Sequence, residues 1–271
     1  MSLGPGTAPV RDSDSIATLE RTVDALAVHV HPGPGELARA AALGAARALR
    51  EAVAATGAAN AMFATGNSQL AFVDALAEVP DVPWSAVVVF HMDEYVGVGP
   101  DHPAGFQKWI RERIVERVRP GKAHLFDGLA DPEAECLRYS GLLRRHPLDL
   151  CCLGIGENGH LAFNDPPVAD FDDPEDVKVV ELDRACRRQQ VNEGHFPDEE
   201  AVPRRALTVT IPALLRARRV LAIVPEERKA EPVRAALTSP LSTACPASVL
   251  RTRDNVTLHL DGGSASLLGW S

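Results

Sequence analysis

AVVVFHMDEYVG (Ala86–Gly97) and LDLCCLGIGENGHLAFND (Leu148–Asp165) each carry a short apolar run straight into a tip of acidic, amide and imidazole side chains. Runs this short and apolar read as buried strands. The pattern recurs on either side. AMFA (Ala61–Ala64) stops at Thr65-Gly66-Asn67-Ser68 before a helical pattern over Gln69–Glu78, and VLAIV (Val220–Val224) runs into PEERK and another helical stretch. Upstream, Glu36–Thr56 is dense in Ala and Leu with Arg and Glu interleaved, which predicts a helix closed by Gly57. A further helix is predicted over Pro103–Arg117. This alternation specifies an α/β fold: an open, mainly parallel, Rossmann-like sheet with helices on both faces. The carboxyl ends of strands in such a sheet form the ligand crevice, so the two polar tips are expected to face one pocket. The chemistry their side chains support is proton transfer on a small molecule.

Composition narrows the class. The chain has 271 residues, a length that α/β folds commonly reach as one unit. With no sequence repeat or low-complexity linker, residues 14–271 read as a single catalytic domain. Residues 1–13, MSLGPGTAPVRDS, read as a disordered or expression-derived tail. A net charge of −9 argues against a nucleic-acid partner, which needs a basic face. No apolar stretch reaches the roughly 20 residues of a membrane span and no signal-peptide layout opens the chain, so a cytoplasmic protein is expected. The five cysteines (Cys136, Cys151, Cys152, Cys186, Cys245) lack C-x-x-C spacing, which supports neither a disulfide framework nor a zinc site.

At the tips, a carboxylate such as Asp93 or Glu94, partly desolvated at a strand end, has its pKa raised toward neutrality and can abstract a proton next to a carbonyl. His160 offers an imidazole, a side chain suited to passing protons, and Gly154, Gly156 and Gly159 let the backbone bend closely around a ligand. Thr65, Gly66, Asn67 and Ser68 offer a hydroxyl and backbone N–H groups to a phosphate. Lys229, in the first turn of a helix, is poorly placed for the helix dipole unless an anion sits beside it. Each of these features has an ordinary structural account, a solvated loop, a capped turn or a surface lysine. Their coincidence beyond four strand ends favours a catalytic pocket. The segment 164–176, with three prolines and six acidic residues, reads as an irregular loop and a candidate lid.

These residues resemble a known family, the glucosamine-6-phosphate deaminases, also called isomerases, and more distantly the 6-phosphogluconolactonases. MDEYVG followed by DHPAGF is similar to the family's MDEYVG-x-x-x-x-HP-x-S-[YF], and GIGENGHLAFNDP to its G-x-G-x-[DN]-GH-[IL]-[AG]-FNEP. ALTVTIPALLRARRVLAIVPEERKAEPVRAAL resembles its late strand and phosphate-lysine segment. The resemblance implies a hydrolase-class enzyme that opens the pyranose of an amino-sugar phosphate, moves a proton from C2 to C1 and lets water release ammonia. It implies Asp93 as the C2 base and His160 as the ring-opening shuttle, oriented by Asp165 and Asn158. Thr65, Gly66, Asn67, Ser68 and Lys229 would hold the phosphate, with Glu94, Gly159 and His195 also at the substrate. No metal or other cofactor is implied, and since the family includes monomers and hexamers, a homo-oligomer is open.

The chain departs from the commonest pattern in several places. Asn158 stands where many members carry an aspartate, although asparagine also occurs there, and an amide cannot stabilise an imidazolium as a carboxylate would. Asp165 replaces a glutamate and loses one methylene of reach, which predicts a longer or water-bridged contact with His160. TGNSQ replaces TG-[SG]-TP. His195 stands where an anion-binding arginine is expected, with Arg184, Arg187 and Arg188 nearby as substitutes. A lactonase, a sugar-phosphate sensor and a catalytically degenerate relative are the competing readings. A lactonase needs no C2 base, and a sensor of the transcription-regulator kind should carry an N-terminal helix-turn-helix, for which ~30 residues are too few.

Overall fold

Along the strand Leu150–Leu153, Leu150 and Cys152 enter one apolar cluster while Cys151 and Leu153 enter another, so this strand is covered on both faces. The computed structural model describes residues 19–270, and the tail expected at 1–13 lies outside them. The strands in chain order are β1 (Leu19–Val23), β2 (Leu26–His31), β3 (Ala59–Phe63), β4 (Val87–His91), β5 (Asp93–Tyr95), β6 (Lys122–His124), β7 (Leu150–Leu153), β8 (Val177–Glu181), β9 (Arg205–Val209), β10 (Arg219–Val224) and β11 (Val256–Asp261). Eight of them form one sheet in the order β1-β2-β11-β10-β7-β3-β4-β6. All its pairings are parallel except the β1/β2 hairpin. This is the open, mainly parallel sheet that the sequence predicts.

Helix Pro34–Thr56 turns a stripe of Leu37, Ala41, Ala45, Leu49 and Ala52 onto one face of the sheet, joined there by helix Leu70–Ala77. The predicted stop is present: Gly57 takes φ 85° and donates its N–H to Val53 O. The opposite face is covered by helices Pro132–Arg145, Ile211–Leu215 and Ala230–Thr238.

The helix expected over Pro103–Arg117 begins at Phe106 and is interrupted by a π turn at Arg111–Val115. Its start is set by Glu94, whose carboxylate accepts from the N–H groups of Tyr95 (2.9 Å), Phe106 (3.1 Å) and Gln107 (2.6 Å). A buried amide left unpaired costs about 1–3 kcal/mol, so one carboxylate here fixes both the tip and the helix entry.

The DEY tip itself is not a loop. Met92 O accepts from Val209 N at 2.8 Å, and the chain leaves the main sheet there to form β5, the edge of a second, antiparallel sheet in the order β5-β9-β8. Asp93 pairs with Thr208 across it. A third apolar cluster, including Tyr95, Phe106, Phe163 and Phe196, packs against this small sheet and locks the tip to the main body.

Candidate active site

Four neighbouring parallel strands, β10, β7, β3 and β4, end along one edge of the sheet, and the segments that follow them meet around an open cleft. From β3 come Thr65, Gly66 and Ser68, from β4 Asp93, from β7 Gly156 and His160, and from β10 Lys229. Both polar tips therefore open into the same space.

Asp93 is held by β5 with its carboxyl 6% exposed, and among the described residues nothing donates to its Oδ1. Burial, reinforced by the charges of Glu94 and Asp165, pushes its pKa well above the usual carboxylate range. A buried carboxyl oxygen without a partner, facing a cleft, is free to take a proton from a ligand.

His160 is positioned by its own loop. Its N–H donates to Asn158 Oδ1 (3.1 Å), and its Nδ1 lies 3.0 Å from Asp165 Oδ1. Asn158 Nδ2 donates to the same carboxylate oxygen at 2.9 Å. The expectation of a longer or bridged contact at Asp165 is thus corrected: the contact is direct. The lost methylene is recovered by a tight turn over Leu161–Asn164, where Ala162 takes φ 51° and Asn164 donates to Leu161 O and Val209 O. Asparagine at 158 suits this arrangement, because its amide donates to Asp165 where a second carboxylate would repel it. Burial raises the pKa of Asp165, but hydrogen bonds from His160, Asn158 and Cys186 outweigh it and hold it below the ordinary value. Asp93 and Asp165 are thereby pushed in opposite directions. Gly156 is needed as glycine, since a Cβ there would lie 2.2 Å from the His160 ring.

Elsewhere in the lining, Gly66 takes φ 102°, followed by a 3₁₀ turn at Asn67–Gln69 whose Gln69 amide donates to Ile223 O at 3.1 Å. Glu226, at φ 81°, is pinned by its N–H to Asp261 Oδ2 (3.1 Å) and starts the turn that delivers Lys229. Lys229 is 3% exposed, and burial followed by repulsion from Arg228 lowers its pKa.

Not every expected residue reaches the cleft. Thr65, Gly66, Ser68, Asp93, His160, His195 and Lys229 line it, whereas Asn67, Glu94, Asn158, Gly159 and Asp165 do not. The oxygens of Glu94 are spent on backbone amides, so it clamps the fold rather than the ligand. Asn158 and Asp165 sit behind His160, and Asn67 turns its amide to Glu193 O at 3.3 Å. Arg184, Arg187 and Arg188 do not substitute for an arginine at 195, because all three are bonded to Glu199 and none lines the cleft. The segment 164–176 is not a lid over it either. Lys178 ties Val168 O (2.6 Å) and Asp173 (2.7 Å), Asp176 binds Arg144 and Arg216, and no residue of the segment lines the cleft.

The sequence reading missed Gln189, Gln190 and Glu193, which enter the cleft from helix Arg184–Asn192 and the turn after it. The signal in the sequence is Glu193 within RQQVNEGHF, an acid two residues before His195, where the family's arginine is missing. Among the described residues, donor atoms of His160, Asp165 and Cys186 lie within 4.8 Å of one another. Asp165 already accepts from Asn158 Nδ2 and has His160 Nδ1 3.0 Å away, so the donor set suits a proton relay better than a metal centre.

The chain matches a family model described as glucosamine-6-phosphate isomerases/6-phosphogluconolactonase over residues 32–259. It is 38% identical over 185 residues to a glucosamine-6-phosphate deaminase of Exiguobacterium sp., covering 67% of this chain and 70% of that one. It is 34% identical over 212 residues to a glucosamine-6-phosphate deaminase of Halothermothrix orenii, covering 76% and 86%. A solved structure of a monomeric glucosamine-6-phosphate deaminase superposes with a TM-score of 0.80 at 30% identity, over 89% of this chain and 99% of that one. A 6-phosphogluconolactonase from Shewanella baltica shares the fold, with a TM-score of 0.72 at 22% identity over 89% and 98%. The relatives' names speak for a deaminase or isomerase, and against the hydrolase label of the sequence reading.

Proposed function

This chain belongs to the family of glucosamine-6-phosphate isomerases and 6-phosphogluconolactonases, and we propose that within it the protein converts glucosamine 6-phosphate to fructose 6-phosphate and ammonia. The observation that carries this reading is the shared cleft: an unpartnered, desolvated carboxyl at Asp93 and an oriented imidazole at His160, with Lys229 in the same lining. A lactonase needs a base to activate water but none to remove a C2 proton, so the two readings differ in what Asp93 would act on.

The residues support the following steps. His160 moves the anomeric hydroxyl proton to the ring oxygen, and Asp165 stabilises the imidazolium that forms in passing. Asp93 takes the C2 proton while the aldehyde oxygen takes one from the ammonium on C2, giving an enolamine, and Asp93 returns its proton to C1 to leave an iminium at C2. Water adds to the iminium carbon and ammonia departs with the C2–N electron pair, leaving the ketose. Every step is redox-neutral, and the aldehyde of the open chain is the electron sink. Residues 14–271 serve as one catalytic domain in this reading. A sugar-phosphate substrate and five free cysteines fit a cytoplasmic enzyme. Among the described residues no helix is long and apolar enough to cross a membrane.

Ammonia release from glucosamine 6-phosphate, run beside hydrolysis of 6-phosphogluconolactone, tests the proposal. Ammonia and fructose 6-phosphate in equal amounts are expected, and lactone hydrolysis without ammonia would overturn it. The pH profile offers a second check. Asp93 must be ionised to act, and its pKa is raised, so kcat/KM falls on acidification at a midpoint well above the ordinary carboxylate value. An acid limb near pH 4 would remove Asp93 as the base. Lys229→Ala is expected to raise KM for glucosamine 6-phosphate by roughly 10- to 100-fold, the worth of a charge-assisted hydrogen bond. An equal rise for unphosphorylated glucosamine would count against a phosphate contact.

A further inference from the structure

Glu193 brings a second charge to the Lys229 end of the cleft. Its side chain is 8% exposed and lines the cleft together with Lys229 and His195. Oε1 accepts from Gln189 Nε2 (2.9 Å) and Arg228 Nη1 (2.7 Å), and Oε2 lies 3.4 Å from His195 Nε2. Two donors on Oε1 fix the carboxylate in place rather than leaving it free to swing away from a ligand. Burial alone would raise its pKa, but His195, Arg228 and Gln189 hold it down at about 2, so it is ionised throughout the working range.

Arg228 does not offset this charge for a ligand, because Glu226 and Glu157 also bind it and it does not line the cleft. Arg228, next to Lys229 in the chain, is ion-paired to Glu157, Glu193 and Glu226. Counting Lys229, three anions stand against two cations. Any anion arriving at Lys229 therefore meets a surplus of one negative charge, and a dianion is opposed about twice as strongly as a monoanion, whereas a hydroxyl is not opposed.

We propose that Glu193 is a specificity-determining residue that weakens recognition of a dianionic phosphoryl group at the Lys229 end and favours ligands carrying at most one negative charge there. For a phosphate monoester, whose second pKa is near 6, the preferred form is the monoanion. This rests on the reading that the Lys229 end receives the substituent on C6.

Equilibrium binding of two probes at pH 8 tests the proposal without turnover: methyl phosphate, a dianion there, and dimethyl phosphate, a monoanion. The parent is expected to bind dimethyl phosphate at least as tightly as methyl phosphate. Glu193→Gln keeps the hydrogen-bonding shape and is expected to tighten methyl phosphate by roughly tenfold and dimethyl phosphate by less. The proposal is overturned if the parent already prefers methyl phosphate by tenfold, if the variant gains nothing, or if neither protein binds either probe. Should a thermal melt show the variant unfolded, the two probes on the parent decide alone. Absence of ammonia release by the parent would sink the deaminase reading while leaving this binding result to stand.

Discussion

Asp93→Asn is expected to lower kcat for ammonia release by about 10²–10⁴, the usual contribution of a positioned general base, while affinity for fructose 6-phosphate stays within roughly tenfold. The substitution is nearly isosteric, and Asp93 Oδ1 has no donor to lose. Stability should move the other way. A carboxyl whose folded pKa is raised above its unfolded value contributes stability that is present below the unfolded pKa and lost as pH rises through the folded one. The variant should therefore melt above the parent at pH 8 and close to it at pH 4. A variant that is inactive but also less stable at pH 8 would mean that the carboxylate supports the fold, not the chemistry.

His160→Gln is the second large effect. Loss of the ring-opening shuttle is expected to cost about 10²–10⁴ in kcat/KM for glucosamine 6-phosphate, which is supplied as a closed ring. Binding of the corresponding amino-alditol phosphate, which cannot close a ring, should be unchanged within a few-fold. Should its affinity fall as far as kcat/KM, His160 would be a binding contact rather than a shuttle. The partners of His160 sharpen this expectation. Asp165 and Asn158 lie behind the imidazole and outside the cleft, so their influence reaches the ligand only through the ring.

The main sheet is readable in the sequence because its central strands are buried on both faces and so appear as unbroken apolar runs, as at Leu150–Leu153. The small sheet is not readable. β5 is three residues long and its partner β9 lies more than a hundred residues away, so no local periodicity announces the pairing. The same distance effect explains Glu94. Next to Asp93 it looks like a second site acid, yet its partners are backbone amides at 106 and 107, which carry no side-chain signature.

Site residues delivered directly by strand ends, such as Thr65, Asp93, His160 and Lys229, are visible as polar tips. Those delivered by the side of a helix, Gln189 and Gln190, are not, because polar residues on a helix ordinarily face solvent. The acidic segment 164–176 misleads for the opposite reason. Its composition suggests mobility, but three cations, Arg144, Lys178 and Arg216, fasten it away from the cleft.

The transfer of the C2 proton tests the central claim most directly: Asp93 and His160 work on one hexose in one cleft, with a single base serving both carbons. Glucosamine 6-phosphate deuterated at C2 should yield fructose 6-phosphate carrying part of the label at one of the two hydrogen positions on C1, because the base that removes it is largely shielded from water. Label still at C2 after ammonia has left, or spread equally over both C1 positions, would contradict the account.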